Sequence, residues 1–204
     1  MISYGSKSAH HAMIFLHGNS QNATNARYLL KKTISDQTLE EYSLIIFFPN
    51  HAWYKYRNTK SHDYIQSSLH VCRHKLHTLM TNLSKQYKIC IGGYSQGATV
   101  AIDAAMTFKQ TVPVVSISGF MLNKESVKPG EIYGSRQDLQ LKYIHGENDT
   151  VITYDQAIKS FQHHRTSGIV LKGYDHWGFW KDTHFKRFFF QFLEESCIVD
   201  GVRI

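Results

Sequence analysis

Residues 88–106 restrict the fold of this chain more than any other stretch. The apolar run Ile89, Cys90 and Ile91, with two β-branched members, predicts a short buried strand. The alanine-rich run from Ala98 to Met106 predicts a buried helix, and Gly92-Gly93-Tyr94-Ser95-Gln96-Gly97 lies between the two. Ser95 therefore occupies a sharp strand-to-helix turn. Glycines at 93 and 97 let the backbone hold that serine in a strained, exposed conformation without colliding with the strand or the helix. The N–H of Gln96 opens the helix, where negative charge is favoured. Gly-x-Ser-x-Gly is a short pattern that any glycine-rich turn can produce, so its meaning depends on what the rest of the chain brings to the same place.

The rest of the chain alternates strand and helix. His11–His17 is an apolar run ending at Gly18, and a helix is predicted from about Thr24 to Thr38. Leu44–Phe48 is a second buried strand closed by Pro49 and Asn50, and 51–62 is polar and aromatic without a period, hence a loop. From Asp63 onward Ile65, Leu69, Cys72, Leu76, Leu79 and Leu83 recur at helical spacing, predicting an amphipathic helix with its basic residues facing water. After the elbow come strands at 113–117, 139–145 and 169–171, an irregular segment over 119–138, a helix at about 154–164, and a last helix burying Phe185, Phe188, Phe189, Phe192 and Leu193. This succession predicts one α/β domain over 1–204: a doubly wound, mostly parallel sheet of about six strands covered by helices on both faces. With strands numbered along the chain, the expected sheet order is 2-1-3-4-5-6. The elbow strand is then internal, and ligands bind where the strands' C-terminal ends meet the loops.

A serine hydroxyl needs a base to take its proton and a carboxylate to orient that base. In this topology both partners follow the serine, acid first. The loop after the fifth strand carries Asp149, and the loop after the sixth carries His176 within Gly173-Tyr174-Asp175-His176. Asp175 and Asp155 are rival acids, the first adjoining the base in sequence and the second falling within a predicted helix. Capping the helix that follows is the plainer alternative for Asp149. An oxyanion would be met by the backbone N–H groups of Gln96 and Asn19, with Gly18 allowing close approach. His17 is expected to hold that loop and not to take part in the chemistry. Trp53, Tyr54, Phe120, Met121, Leu122 and Trp177 are candidates to line an acyl pocket, against the plainer alternative of packing.

Phe15-Leu16-His17-Gly18, Gly92-Gly93-Tyr94-Ser95-Gln96-Gly97, Ile144-His145-Gly146-Glu147-Asn148-Asp149 and Gly173-Tyr174-Asp175-His176 together resemble the phospholipase and carboxylesterase family of α/β-hydrolases, which includes the acyl-protein thioesterases. The resemblance implies the α/β-hydrolase fold with little or no cap. It also implies nucleophile Ser95, acid Asp149, base His176, oxyanion donors Asn19 and Gln96, no cofactor, and cleavage of esters or thioesters through an acyl-serine. Short-chain esterase and lysophospholipase activities are the enzymatic alternatives, and a noncatalytic module of the same fold is the alternative outside enzymology. Three departures stand out. Ala98 replaces a second glycine, Asn19-Ser20-Gln21-Asn22 replaces an acidic, glycine-containing loop, and the segment that helps wall the acyl channel is cut down to 51–62.

Composition narrows the setting. The first eleven residues are polar and no later run approaches the ~20 apolar residues that span a bilayer, so a cytoplasmic protein is expected. Cys72, Cys90 and Cys197 lack metal-ligand spacing and read as free thiols, suiting a reducing compartment. Adjacent histidines such as His10 and His11, or His163 and His164, cannot converge on one metal, so no metal is expected. Of the net charge of +7, most falls between His51 and Lys88, where Lys55, Arg57, Lys60, Arg73, Lys75, Lys85 and Lys88 face only Asp63. Such a segment is a solvated face or an attraction for an anionic membrane or acidic partner. No nucleic-acid recognition motif accompanies it.

Overall fold

Strand residues alternate between two cores, and this alternation sets the architecture. A computed structural model describes residues 1–51, 53–58, 63–122, 139–162 and 164–197, with the side chains of 56–58, 63, 64 and 197 outside that description. Along β2 (His11–Leu16), Ala12, Ile14 and Leu16 enter one core while Met13 and Phe15 enter the other. The first core packs α3 (Gln66–Leu83), α4 (Gln96–Thr107) and α5 (Tyr154–Phe161) through Leu69, Leu76, Met80, Val100, Ala157 and Phe161. The second packs α1 (Ala23–Lys31), α2 (Asp36–Glu41) and α6 (Thr183–Cys197) through Leu30, Leu39, Phe185, Phe189, Phe192 and Leu193. Each such side chain taken out of water contributes ~1.5–3 kcal/mol, so strands buried on both faces make a firm base for the loops above them.

The remaining strands are β1 (Ile2–Gly5), β3 (Leu44–Phe48), β6 (Lys88–Tyr94), β7 (Val114–Ile117), β8 (Leu141–Gly146) and β9 (Thr166–Leu171). Together with β2 they form a seven-stranded sheet of order β1-β3-β2-β6-β7-β8-β9. The six expected strands lie in the expected order and are parallel to one another. The addition is β1, antiparallel to β3 with Ile2 opposite Phe48. It is a short edge strand without a fully buried residue, so its sequence carries little hydrophobic pattern.

Other expectations change. The single helix foreseen over Thr24–Thr38 is two, because Ser35 accepts the Thr38 N–H and starts α2, while Thr33 and Ile34 are buried in the bend between them. Asp63 does not begin α3. Asp63–Tyr64 (β5) pair with Tyr56–Asn58 (β4) in a two-stranded hairpin, Ile65 is extended, and the helix starts at Gln66. The basic residues of α3 do not all face water either. Arg73 is 4% exposed and grips Asp103 of α4 with two bonds, Nε to Oδ2 at 2.9 Å and a terminal nitrogen to Oδ1 at 2.8 Å. Lys55, Lys75, Lys85 and Lys88 are exposed, while Lys60, the Arg57 side chain and most of the irregular 119–138 segment lie outside the described residues. Cys72 and Cys90 are buried and in no disulfide, and burial, then the Asp103 charge, pushes the Cys72 thiol up to about 12. Among the described residues no helix is long and apolar enough to cross a membrane.

Candidate active site

Ser95 sits between β6 and α4 at φ 54° and ψ −123°, a region that L-residues rarely enter. Its own N–H is held by the Ile117 carbonyl at 2.8 Å, on the neighbouring strand. Close approach explains the glycines around it. A Cβ on Gly97 would lie 2.3 Å from the His17 carbonyl oxygen, and one on Gly93 would lie 2.5 Å from the backbone of Gly97. The methyl of Ala98, the departure at that position, fits because it faces Gly119, whose own Cβ would come within 2.5 Å of it.

Three loops converge on the serine. The Nε2 of His176 is 2.9 Å from Ser95 Oγ, and its Nδ1 is 2.6 Å from Asp149 Oδ2. Ser95, Asp149 and His176 are 9%, 3% and 2% exposed, so water does little to weaken these contacts. The other carboxylate oxygen of Asp149 accepts the N–H groups of Val151 and Ile152, both at 2.9 Å. Burial alone would raise the Asp149 carboxyl. Hydrogen bonds from His145, His176 and Ile152 outweigh it and hold the group well below the usual carboxylate range. The rival acids are engaged elsewhere. Asp175 accepts the Trp177 N–H at 2.7 Å, and Asp155 lies in the first turn of α5.

A family model described as phospholipase/carboxylesterase matches residues 1–176. The chain belongs to the phospholipase/carboxylesterase family. No curated protein sequence matches it. Among solved structures it is similar to SOBER1 of Arabidopsis thaliana, at 12% identity and a TM-score of 0.73 over 91% of this chain and 98% of that one. It is also similar to Zea mays acyl-protein thioesterase 2 (16% identity, TM-score 0.71, 94% and 98% covered) and to esterase PE8 (14% identity, TM-score 0.72, 96% and 97% covered). These likenesses are of fold, and the fold is that of the α/β-hydrolases.

Around the serine of this family member, two loops are tied together. The ring of His17 packs on Trp53 with centroids 4.7 Å apart, its Nε2 lies 3.1 Å from the His51 carbonyl, and the Trp53 indole N–H donates to the His17 carbonyl at 2.7 Å. The amide of Gln96 donates to the Tyr54 carbonyl at 2.8 Å, and the Gly18 N–H donates to Gln21 Oε1 at 3.0 Å. These bonds set Gly18 and Asn19 beside the first turn of α4. The opening N–H of that helix, on Gln96, has no acceptor within the helix itself.

The six candidate pocket residues separate. Trp53 and Tyr54 line a cavity of about 570 Å³ together with Asn19, Gln96 and seven other residues. Phe120, Met121 and Leu122 do not line it. Their segment is pinned down to α4 and α5, since the Phe120 N–H donates to Thr99 Oγ1 at 3.3 Å and the Met121 N–H to Ser160 Oγ at 2.9 Å, and their side chains join the core. Trp177 stands elsewhere, 52% exposed, with its ring 5.0 Å from that of His176. Two supporting residues escaped the sequence. The Tyr94 hydroxyl donates to the His176 carbonyl at 2.7 Å, and His145 Nε2 lies 2.7 Å from the Ile152 carbonyl and 3.3 Å from Asp149 Oδ2. The signals available were an aromatic directly before the serine and a histidine four residues before the acid.

Proposed function

We propose that the chain is a serine hydrolase that cleaves carboxylic esters or thioesters through an acyl-serine intermediate, with Ser95 as nucleophile, His176 as base, Asp149 as acid, and the N–H groups of Asn19 and Gln96 as oxyanion donors. The single observation that carries this is the continuous bond line from Asp149 through His176 to Ser95 Oγ, buried beneath the loops. Ser95 Oγ would bond to the carbonyl carbon as its proton passes to His176 Nε2. The carbonyl electron pair moves to oxygen, facing Asn19 and Gln96. As that pair returns, the bond to the leaving oxygen or sulfur breaks, and the leaving group takes the proton from His176. Water then gives a proton to the same nitrogen while its oxygen bonds to the acyl carbon. Release of Ser95 with that proton completes a turnover of one water for one acid and one alcohol or thiol.

Asp149 holds the imidazole with its proton on Nδ1 and stabilises the cation formed during attack. The cavity beside the oxyanion donors mixes the rings of Trp53 and Tyr54 with polar side chains, which offers a long acyl chain no continuous apolar wall and brings the short-chain esterase alternative forward. Buried cysteines outside any disulfide at 72 and 90 suit a reducing, cytoplasmic setting. The test is a fluorophosphonate probe and an activated ester on wild type and Ser95→Ala. Labelling and turnover are expected only in the wild type, with a loss in turnover approaching the ~10⁶-fold of a removed triad serine. Residual activity above a tenth of wild type would overturn the assignment.

A further inference from the structure

We propose that the cavity beside Asn19 and Gln96 is an acyl site for a short acid that carries its own carboxylate, with Lys55 as its counter-charge. The proposal rests on the serine hydrolase function above, and the direction comes from the geometry of acyl transfer. Of the four groups on the tetrahedral carbon, one is Ser95 Oγ, one is the oxyanion at the Asn19 and Gln96 N–H groups, and the leaving atom must lie within reach of His176 Nε2. The fourth, the acyl chain, is left the side away from the imidazole. The cavity lies on that side: Asn19 and Gln96 line it while Ser95, His176 and Trp177 do not, so an acyl chain would reach it by passing the two donors.

The walls define the chemistry. Beside the indole and phenol of Trp53 and Tyr54, the lining takes in His17, Gly18, Gln96 and the polar side chains of Asn19, Ser20, Gln21, Asn50, His51 and Lys55, so polar and apolar groups share the wall about equally. A methylene gains by contact with apolar surface and a charge by contact with donors, so a wall of both kinds suits a short chain with a polar end. Asp and Glu are absent from the described residues that line the cavity. Lys55 makes no ion pair among the described residues, so its ammonium is available to a ligand. The local field is positive as well: the His51 imidazolium is disfavoured by burial first and then by the Lys75 charge. Nearby Phe120, Met121 and Leu122, which would have made an apolar acyl wall, are spent in the core. A carboxylate at the far end of a short acyl chain meets this set of donors with a charge-assisted bond to Lys55.

Two esters of one chain length and one leaving group separate the possibilities: 4-nitrophenyl hemiglutarate and 4-nitrophenyl valerate, each corrected for spontaneous hydrolysis. Wild type is expected to prefer the hemiglutarate in kcat/KM by about tenfold, the worth of one hydrogen-bonded charge. Lys55→Gln is expected to remove most of that preference through KM, and added salt to reduce it. Lys181→Gln, which lines a separate hollow of about 260 Å³ beyond Gln21, is the control and leaves the preference in place. Preference for valerate, or a preference that Lys55→Gln does not alter, overturns the acyl site while the hydrolase stands. If neither ester is turned over faster than by Ser95→Ala, both fall together.

Discussion

His176 has two carboxylates within reach along the chain or in space, and only one of them is spatially placed to help it. Asp149 receives the imidazole Nδ1 at 2.6 Å and two backbone N–H groups on its other oxygen, so its charge is held and its direction set. Asp175, the neighbour in sequence, spends its carboxylate on the Trp177 N–H. Asp149→Asn is therefore expected to fold and to lose ~10⁴ in turnover of an activated ester, because an amide can donate to Nδ1 and favour the wrong tautomer. Asp175→Asn is expected to stay within a few-fold of wild type, and kcat of both variants checked against circular dichroism decides between them. The same carboxyl carries a pH dependence. Its folded-state pKa lies below the ~3.9 of an unfolded aspartate, so the native state binds fewer protons. That stability is present above the unfolded value and is lost as pH falls through the folded one. Melting temperatures between pH 7 and pH 3 should fall less steeply in Asp149→Asn than in wild type.

The elbow joins a strand to a helix with no spare volume, and its glycines are the places where that shows. The backbone of α4 passes so close to the end of β2 that a Cβ on Gly97 would sit 2.3 Å from the His17 carbonyl oxygen and 2.4 Å from that of Leu16. These are backbone atoms of a central strand, which cannot move aside as a flexible side chain can. Gly97→Ala is expected to displace α4 from the loop that carries Asn19, lowering kcat far more than it weakens binding of a substrate. It should also lower stability by ~1–3 kcal/mol, the range for overpacking, as read by denaturant unfolding. An unchanged kcat would show that the distance between Gln96 and Asn19 does not matter to the reaction. The boundaries of other elements show the limit of local pattern. The break between α1 and α2 depends on Ser35 capping a new helix, while Thr33 reaches across to the Trp180 carbonyl at 3.2 Å, a contact 147 residues away.

Across the molecule, two of the helices on the elbow side of the sheet are joined by a buried ion pair. Arg73 and Asp103, 4% and 3% exposed, make two bonds between α3 and α4, and removing one partner leaves the other buried without this counter-charge. Asp103→Ala is expected to cost ~3–5 kcal/mol in denaturant unfolding, against much less for the double replacement Arg73→Met with Asp103→Leu. Equal losses in the two variants would mean that the pair is not desolvated. The residues by themselves determined the six parallel strands, the elbow at Ser95, and the succession of Asp149 and His176, because these depend on hydrophobic period, turn chemistry and chain order, and the crossover rule for alternating strands and helices supplied the sheet order. Short-range preferences of that kind are written in neighbouring residues. Only the tertiary structure decided that Arg73 is turned inward, and that Phe120, Met121 and Leu122 fill the core while Trp53, Tyr54, amides and Lys55 line the cavity. Those outcomes depend on which distant surfaces come together, and burial, charge pairing and wall chemistry are properties of that meeting.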